Sequence, residues 1–98
     1  MNRYEKFILP EYLDFIRTKP CVACGKRAPT DPDHLIARGW REGKRLDLFT
    51  LPLCRKCHSQ RHQWGNQKFQ EHWQLNLWEQ VARLMAEYMK KEILGEAA

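Results

Sequence analysis

Apolar residues along this 98-residue chain fall into short clusters with different periods. Pro10 suits the first turn of a helix, and Tyr12, Leu13, Phe15 and Ile16 give that helix an apolar side before Lys19-Pro20 stops it. From Asp33 to Leu53 the helical period fails. Leu35-Ile36, and Leu46 with Leu48, read as extended segments, and the basic stretch from Arg38 to Lys44 between them carries two glycines, so a two-stranded hairpin with a wide turn is expected. After Cys57, the run from His58 to Trp64 has no breaker until Gly65, which predicts a two-turn helix. Asn66 is placed to cap a further helix through about Trp73. Asn76-Leu77-Trp78-Glu79 resembles a capping box that opens a last one. Its expected buried face is Trp78, Val81, Ala82, Met85, Tyr88, Met89 and Ile93, at steps of three and four, with the final residues fraying.

These elements describe one small α+β domain spanning 1–98, with a metal-stapled core over 12–73 and a packing helix over 76–93. A chain of this length buries only about 60–70% of the surface that its unfolded state exposes, so its core is thin. A metal staple is therefore expected to matter. Its ligands are visible as two Cys-x-x-Cys knuckles, Cys21/Cys24 and Cys54/Cys57, because soft thiolates delivered in pairs by tight turns suit tetrahedral zinc. Gly25 can take the positive φ that the first knuckle needs. The 29 residues between Cys24 and Cys54 exceed the usual spacing of about 15–20, so something is built between the knuckles. Disulfides or a redox dithiol are the alternative. The opening residues Asn2-Arg3-Tyr4-Glu5-Lys6 lack an apolar signal segment, so reduced thiols in a soluble, cytoplasmic protein are expected.

The net charge of +5 is concentrated: Arg38, Arg41, Lys44, Arg45, Arg55, Lys56 and Arg61 stand against only Glu42 and Asp47. That stretch accounts for the whole excess and points to a polyanion. The longest uncharged runs, Leu48 to Cys54 and His72 to Trp78, are seven residues, far short of the roughly 18–20 needed to cross a bilayer. His58 and His62 would share a helix face and could converge on one ion. His72, beside Trp73, reads as a surface or packing residue.

Cys21-Val22-Ala23-Cys24, Asp33-His34-Leu35-Ile36, Leu51-Pro52-Leu53-Cys54-Arg55-Lys56-Cys57-His58 and His62 together resemble the HNH endonucleases of the ββα-metal (His-Me finger) superfamily, in its four-cysteine zinc-ribbon branch. The wider frame, from Tyr12 to Cys21 and from Gly43 to Asp47, is similar to small HNH proteins of phages and prophages, some of them linked to recombination. The likeness covers residues 12 to about 73, with a looser echo in the last helix.

The resemblance implies a ββα-metal motif stapled by zinc, in which Asp33 and His58 bind a catalytic Mg²⁺ or Mn²⁺, His62 is a candidate third ligand, and His34 is the general base. It further implies hydrolysis of DNA to 5′-phosphate and 3′-hydroxyl ends. A hard carboxylate suits these ions, although the same ligands also take Zn²⁺, Ni²⁺ or Co²⁺. Neighbours on a strand point to opposite faces, so Asp33 and His34 are expected on an irregular backbone, for which Pro32 offers a reason. The family's middle asparagine is missing. No asparagine lies between His34 and His58, Phe49 occupies the usual spacing, and Asp47 is the residue that could orient the ring of His34.

Arg38, Arg41, Lys44 and Arg45 are expected to contact DNA phosphates with little sequence preference. A monomer would nick, whereas a weak homodimer could cut both strands. The competing readings are a non-catalytic zinc-ribbon module that binds nucleic acid, favoured by the missing asparagine, and a zinc-stabilised adaptor using Trp73, Trp78 and Tyr88.

Overall fold

The computed structural model describes residues 8–36 and 46–95. Among them are four helices and one two-stranded sheet, in the order α1 (Pro10–Arg17), β1 (Asp31–His34), β2 (Thr50–Leu53), α2 (Arg55–Trp64), α3 (Asn66–Trp73) and α4 (Leu77–Leu94). The class is α+β, as expected. Arg38, Arg41, Lys44 and Arg45, expected to contact phosphates, lie outside the described residues.

Pro10 stands at the start of α1, and Tyr12, Leu13, Phe15 and Ile16 are buried on its inner side. Thr30 holds the end of α1 from across the chain, its N–H donating to Arg17 O at 3.3 Å and its Oγ1 to Lys19 O at 2.9 Å.

The strands do not fall where the apolar pattern put them. Leu35 and Ile36 follow β1, and Leu46 to Phe49 form a turn that precedes β2, with Phe49 N–H donating to Leu46 O at 2.9 Å and Thr50 Oγ1 to Asp47 O at 2.8 Å. The strand run is Asp31-Pro32-Asp33-His34, a polar sequence that carries no apolar signal. It is held as a strand by its partner: β2 is buried along its whole length and pairs antiparallel with it, Asp31 opposite Leu53 and His34 opposite Thr50. Leu35 N–H donates to Phe49 O at 2.9 Å, so alternation makes 33/51 and 31/53 the hydrogen-bonded pairs. Pro32 and Pro52 then face each other at a rung that needs no N–H. Pro52 O instead accepts from Val22 N at 3.0 Å, tying the first knuckle to the sheet.

The helix after β2 starts earlier than the breaker pattern implied, at Arg55, because Cys54 is its N-cap. Cys57 is therefore inside its first turn. Gly65, with φ +82, separates α2 from α3 and is the N-cap of α3. Asn66 has a different partner: its Oδ1 accepts from Arg61 Nη1 at 2.6 Å.

Asn76 does cap α4, accepting from Glu79 N–H at 3.0 Å, but the box is half made, since the Glu79 carboxylate turns to Arg83 at 2.8 Å. The buried residues of α4 are Leu77, Val81 and Leu84, so the inner strip overlaps the expected one at Val81, with Met85 and Tyr88 half-buried against the core, but is turned toward Leu77 and Leu84, leaving Trp78, Ala82, Met89 and Ile93 exposed. The register is set by its neighbours. Leu77 N–H is held by Gln70 Oε1 at 2.8 Å, and Tyr88 stands edge-on to Tyr12 and Phe15 at 5.0 and 5.1 Å. No helix among the described residues is long and apolar enough to cross a membrane.

Candidate metal centres

Two groups of side chains that could hold a metal ion are built in part on α2, one with Cys54 and Cys57 at its start and the other with His58 and His62 along it. In the first, the sulfurs of Cys21, Cys24, Cys54 and Cys57 all lie within 4.8 Å of one another. Each knuckle is wound around its leading sulfur: Cys24 N–H points to Cys21 Sγ and Cys57 N–H to Cys54 Sγ, both at 3.5 Å. Gly25, at φ +78, turns the chain so that its N–H reaches Cys21 O at 2.9 Å, the conformation expected of it. Four thiolates about 2.3 Å from a tetrahedral ion stand about 3.8 Å apart. Cys24 and Cys54 sulfurs are 3.7 Å apart, so the cluster can hold a metal ion and is compatible with zinc.

The same crowding divides the thiols. Burial pushes Cys57 far up, reinforced by the facing sulfurs. Burial also opposes ionisation of Cys54, but the N–H and thiol of Cys57 with the thiols of Cys24 and Cys21 outweigh it and bring Cys54 down to about 7. Cys54 is thus easier to ionise than Cys57 or Cys24, and a metal ion bound here would require thiolates from the cluster.

The second cluster joins β1 to α2. Asp33 Oδ1 lies 3.3 Å from His58 Nε2 and 3.2 Å from His62 Nε2, with the two imidazoles one turn apart and their centroids 4.8 Å from each other. The carboxylate is only 1% exposed, whereas His58 is 27% and His62 50% exposed, so the open side of the cluster is the histidine side. Ligands about 2.1 Å from an ion stand about 3.0 Å apart at an octahedral right angle and about 3.4 Å apart at a tetrahedral one. The observed separations fall between these values. An open depression of about 270 Å³, lined by Arg55, His58, Ser59 and His62, leads to it.

His34 and Asp47 form a separate pair, with His34 Nε2 2.7 Å from Asp47 Oδ1. Asp47 is fully buried, and its Oδ2 accepts from Leu9 N–H at 2.7 Å. The expected backbone irregularity at Asp33 and His34 is absent, since both are ladder residues of β1. Alternation sends Asp33 to α2 and His34 to the turn before β2. His34 is the last residue of the strand, and the chain bends at Leu35 and Ile36.

Two residues at this site were not singled out from sequence. Arg61 is buried against Asp33, its Nε donating to Oδ2 and its Nη2 to Oδ1 at 2.8 Å, while Nη2 also reaches His34 O at 3.3 Å. It sits in the basic stretch that reads as a solvated, phosphate-facing patch, and nothing local distinguishes a buried arginine there. Asp31 lies 3.2 Å from His58 Nδ1 through Oδ2, which also accepts from Arg55 Nε at 2.9 Å. The Arg55 hydrogen bond holds its carboxyl below the usual range against a smaller opposing effect of burial, and His58 adds to the lowering. Its signal was present in the strand period: Asp31 and Asp33 are two apart and must share a face.

Residues 2–92 match the family model described as Protein of unknown function (DUF968). The chain belongs to the DUF968 family. This DUF968 chain is also 42% identical over 64 residues to Uncharacterized protein YdfU of Escherichia coli (strain K12), a match covering 63% of this chain and 18% of that protein. It therefore spans less than a fifth of that relative's length. No solved structure matches it.

Proposed function

We propose that this chain is a metal-dependent endonuclease of the HNH type, stapled by zinc at its four cysteines and hydrolysing DNA phosphodiester bonds to 5′-phosphate and 3′-hydroxyl ends. The observation that carries the reading is the convergence of Asp33 Oδ1, His58 Nε2 and His62 Nε2 on the helix that directly follows two antiparallel strands. The His34–Asp47 pair adds a carboxylate-oriented imidazole at the end of β1; it leaves the strand on the face opposite Asp33, next to the bend at Leu35 and Ile36.

Asp33, His58 and His62 would hold the divalent ion, Mg²⁺ or Mn²⁺, which when bound would supply positive charge to offset that on the phosphate and the leaving oxygen. The protein's own work is done around them. With Nε2 committed to Asp47, the His34 ring carries its proton there, and Nδ1 keeps a lone pair that takes a proton from the attacking water. Asp47, itself anchored by Leu9 N–H, keeps this tautomer and offsets the charge on the imidazolium that forms. In this role it replaces the missing asparagine. Arg61 fixes both oxygens of Asp33, so the carboxylate cannot rotate away from the histidines. Arg38, Arg41, Lys44 and Arg45 are proposed to hold the DNA backbone with little sequence preference.

The test is supercoiled plasmid at low salt, with wild type and His34→Ala, each zinc-loaded, and with Mg²⁺, Mn²⁺ or no added ion. Open circles from wild type alone, and only with the ion, are expected. Each tenfold loss on substitution corresponds to about 1.4 kcal/mol of transition-state stabilisation. A second reading, a non-catalytic zinc-ribbon module that binds nucleic acid, is favoured by the Arg61–Asp33 ion pair, which also makes sense as a purely structural link. Retardation of DNA by both proteins with no nicking under any ion would decide for it.

A further inference from the structure

β1 presents two carboxylates to α2, and the imidazole of His58 stands between them: Nδ1 faces Asp31 Oδ2 at 3.2 Å and Nε2 faces Asp33 Oδ1 at 3.3 Å. An imidazole with one proton can donate to only one of two carboxylates. At the other, lone pair meets lone pair, an arrangement that a cation relieves. The two carboxylates are not equivalent. Asp31 Oδ2 is held in place by Arg55 Nε at 2.9 Å, next to the ring and away from His62, whereas Asp33 Oδ1 is shared with both histidines.

We propose that Asp31 is a positioning residue for the second metal centre: it accepts the Nδ1–H of His58, fixing the ring's tautomer and rotation so that the Nε2 lone pair is aimed at a divalent cation held with Asp33 and His62. Metal-bound histidines are commonly oriented by a carboxylate on the far nitrogen, and removing such a partner typically costs about 10–100-fold in metal affinity. Among the described residues, His62 has no equivalent support: its ring is half-exposed and meets Asp33 and Arg61 through Nε2 alone. His58 is accordingly the preset ligand and His62 the adaptable one. Arg55 completes the chain of contacts by holding Asp31 while its guanidinium stays exposed at the rim of the depression.

The inference rests on the divalent-ion part of the nuclease reading, not on hydrolysis. It is tested on the full chain loaded with one equivalent of zinc, in two measurements at neutral pH. Long-range proton–nitrogen NMR of the histidine rings without further metal reports the His58 tautomer, and electron paramagnetic resonance of free Mn²⁺ reports affinity. Wild type is expected to show a protonated Nδ1. Asp31→Ala is expected to lose that preference and to bind Mn²⁺ about 10–100-fold more weakly, with circular dichroism unchanged. Asp31→Asn retains an acceptor and is expected to keep the tautomer and most of the affinity, which covers the case in which the alanine variant is poorly folded. A wild-type ring protonated at Nε2, or an alanine variant equal to wild type in both measurements, overturns the proposal alone. Wild type and His58→Ala with equal and negligible Mn²⁺ uptake overturn the ion site on which it rests.

Discussion

Replacing Arg61 by methionine leaves the Asp33 carboxylate buried without its partner. The guanidinium is 8% exposed and the carboxylate 1%, so neither is screened by solvent. Removing one member of such a pair costs about 3–5 kcal/mol, because the remaining charge has lost water and its permanent countercharge and keeps only the imidazoles of His58 and His62 beside it. That is a large share of the roughly 5–15 kcal/mol that holds a domain together. At about 4–8 °C per kcal/mol for a domain of this size, Arg61→Met should lower the melting temperature of the zinc-loaded protein by at least about 12 °C. Part of the loss is removable in two ways. Adding Asp33→Asn deletes the orphaned charge, so the double variant should be more stable than Arg61→Met alone, giving a positive coupling in the double-mutant cycle. If Mn²⁺ binds at Asp33, His58 and His62 as proposed, it would supply a substitute charge there and raise the melting temperature of Arg61→Met by more than that of wild type. The assay is thermal melting by circular dichroism for the four proteins, with and without the ion. A melting temperature for Arg61→Met within about 2 °C of wild type, or a double variant less stable than the single one, would refute this reading of the ion pair.

A strong chelator should unfold the protein, since structural zinc in small fingers supplies about 10–16 kcal/mol of apparent binding energy, comparable to a domain's whole stability; a circular dichroism melt unchanged by chelation would argue against a structural ion at the cysteines. Tyr12 offers a pH test. Burial raises the pKa of its phenol, with Tyr88 and Glu87 adding to the effect, so the stability it contributes is fully present below about pH 10 and is lost as pH rises through the folded-state value. Its hydroxyl has no hydrogen-bond partner among the described residues. Tyr12→Phe should therefore be neutral or stabilising by about 1 kcal/mol at pH 7 and should melt less steeply with pH above 10; a loss of more than 1 kcal/mol at pH 7 in urea melts would reveal a partner for the hydroxyl.

Local signals were enough wherever one residue type or one short spacing decides the outcome. The first helix follows from Pro10 and its apolar side, the knuckle turn from Gly25, the start of α4 from Asn76. The two cysteine pairs were legible because thiolates at this spacing have few other uses. The Asp33, His58 and His62 cluster was legible in part: four residues on a helix bring two imidazoles onto one face, and only the resemblance joined them to Asp33.

What only the tertiary structure decided are the strands, the register of α4 and the environment of each charge. Asp31 to His34 is a strand because the buried β2 offers it a ladder, a long-range partnership that no local apolar period records. The inner strip of α4 is fixed by Gln70, which holds Leu77 N–H, and by Tyr12 and Phe15, which pack on Tyr88. A charged side chain carries no mark of its burial. Of the basic residues between positions 38 and 61 that the structure describes, Arg55, Lys56 and Arg61, it is Arg61 that is buried on a carboxylate, while Arg55 stays at the surface and holds Asp31. Residue chemistry and spacing thus determined which groups this protein has to offer a metal. Burial and pairing, which depend on contacts between residues far apart in the chain, decided which of those groups face one another.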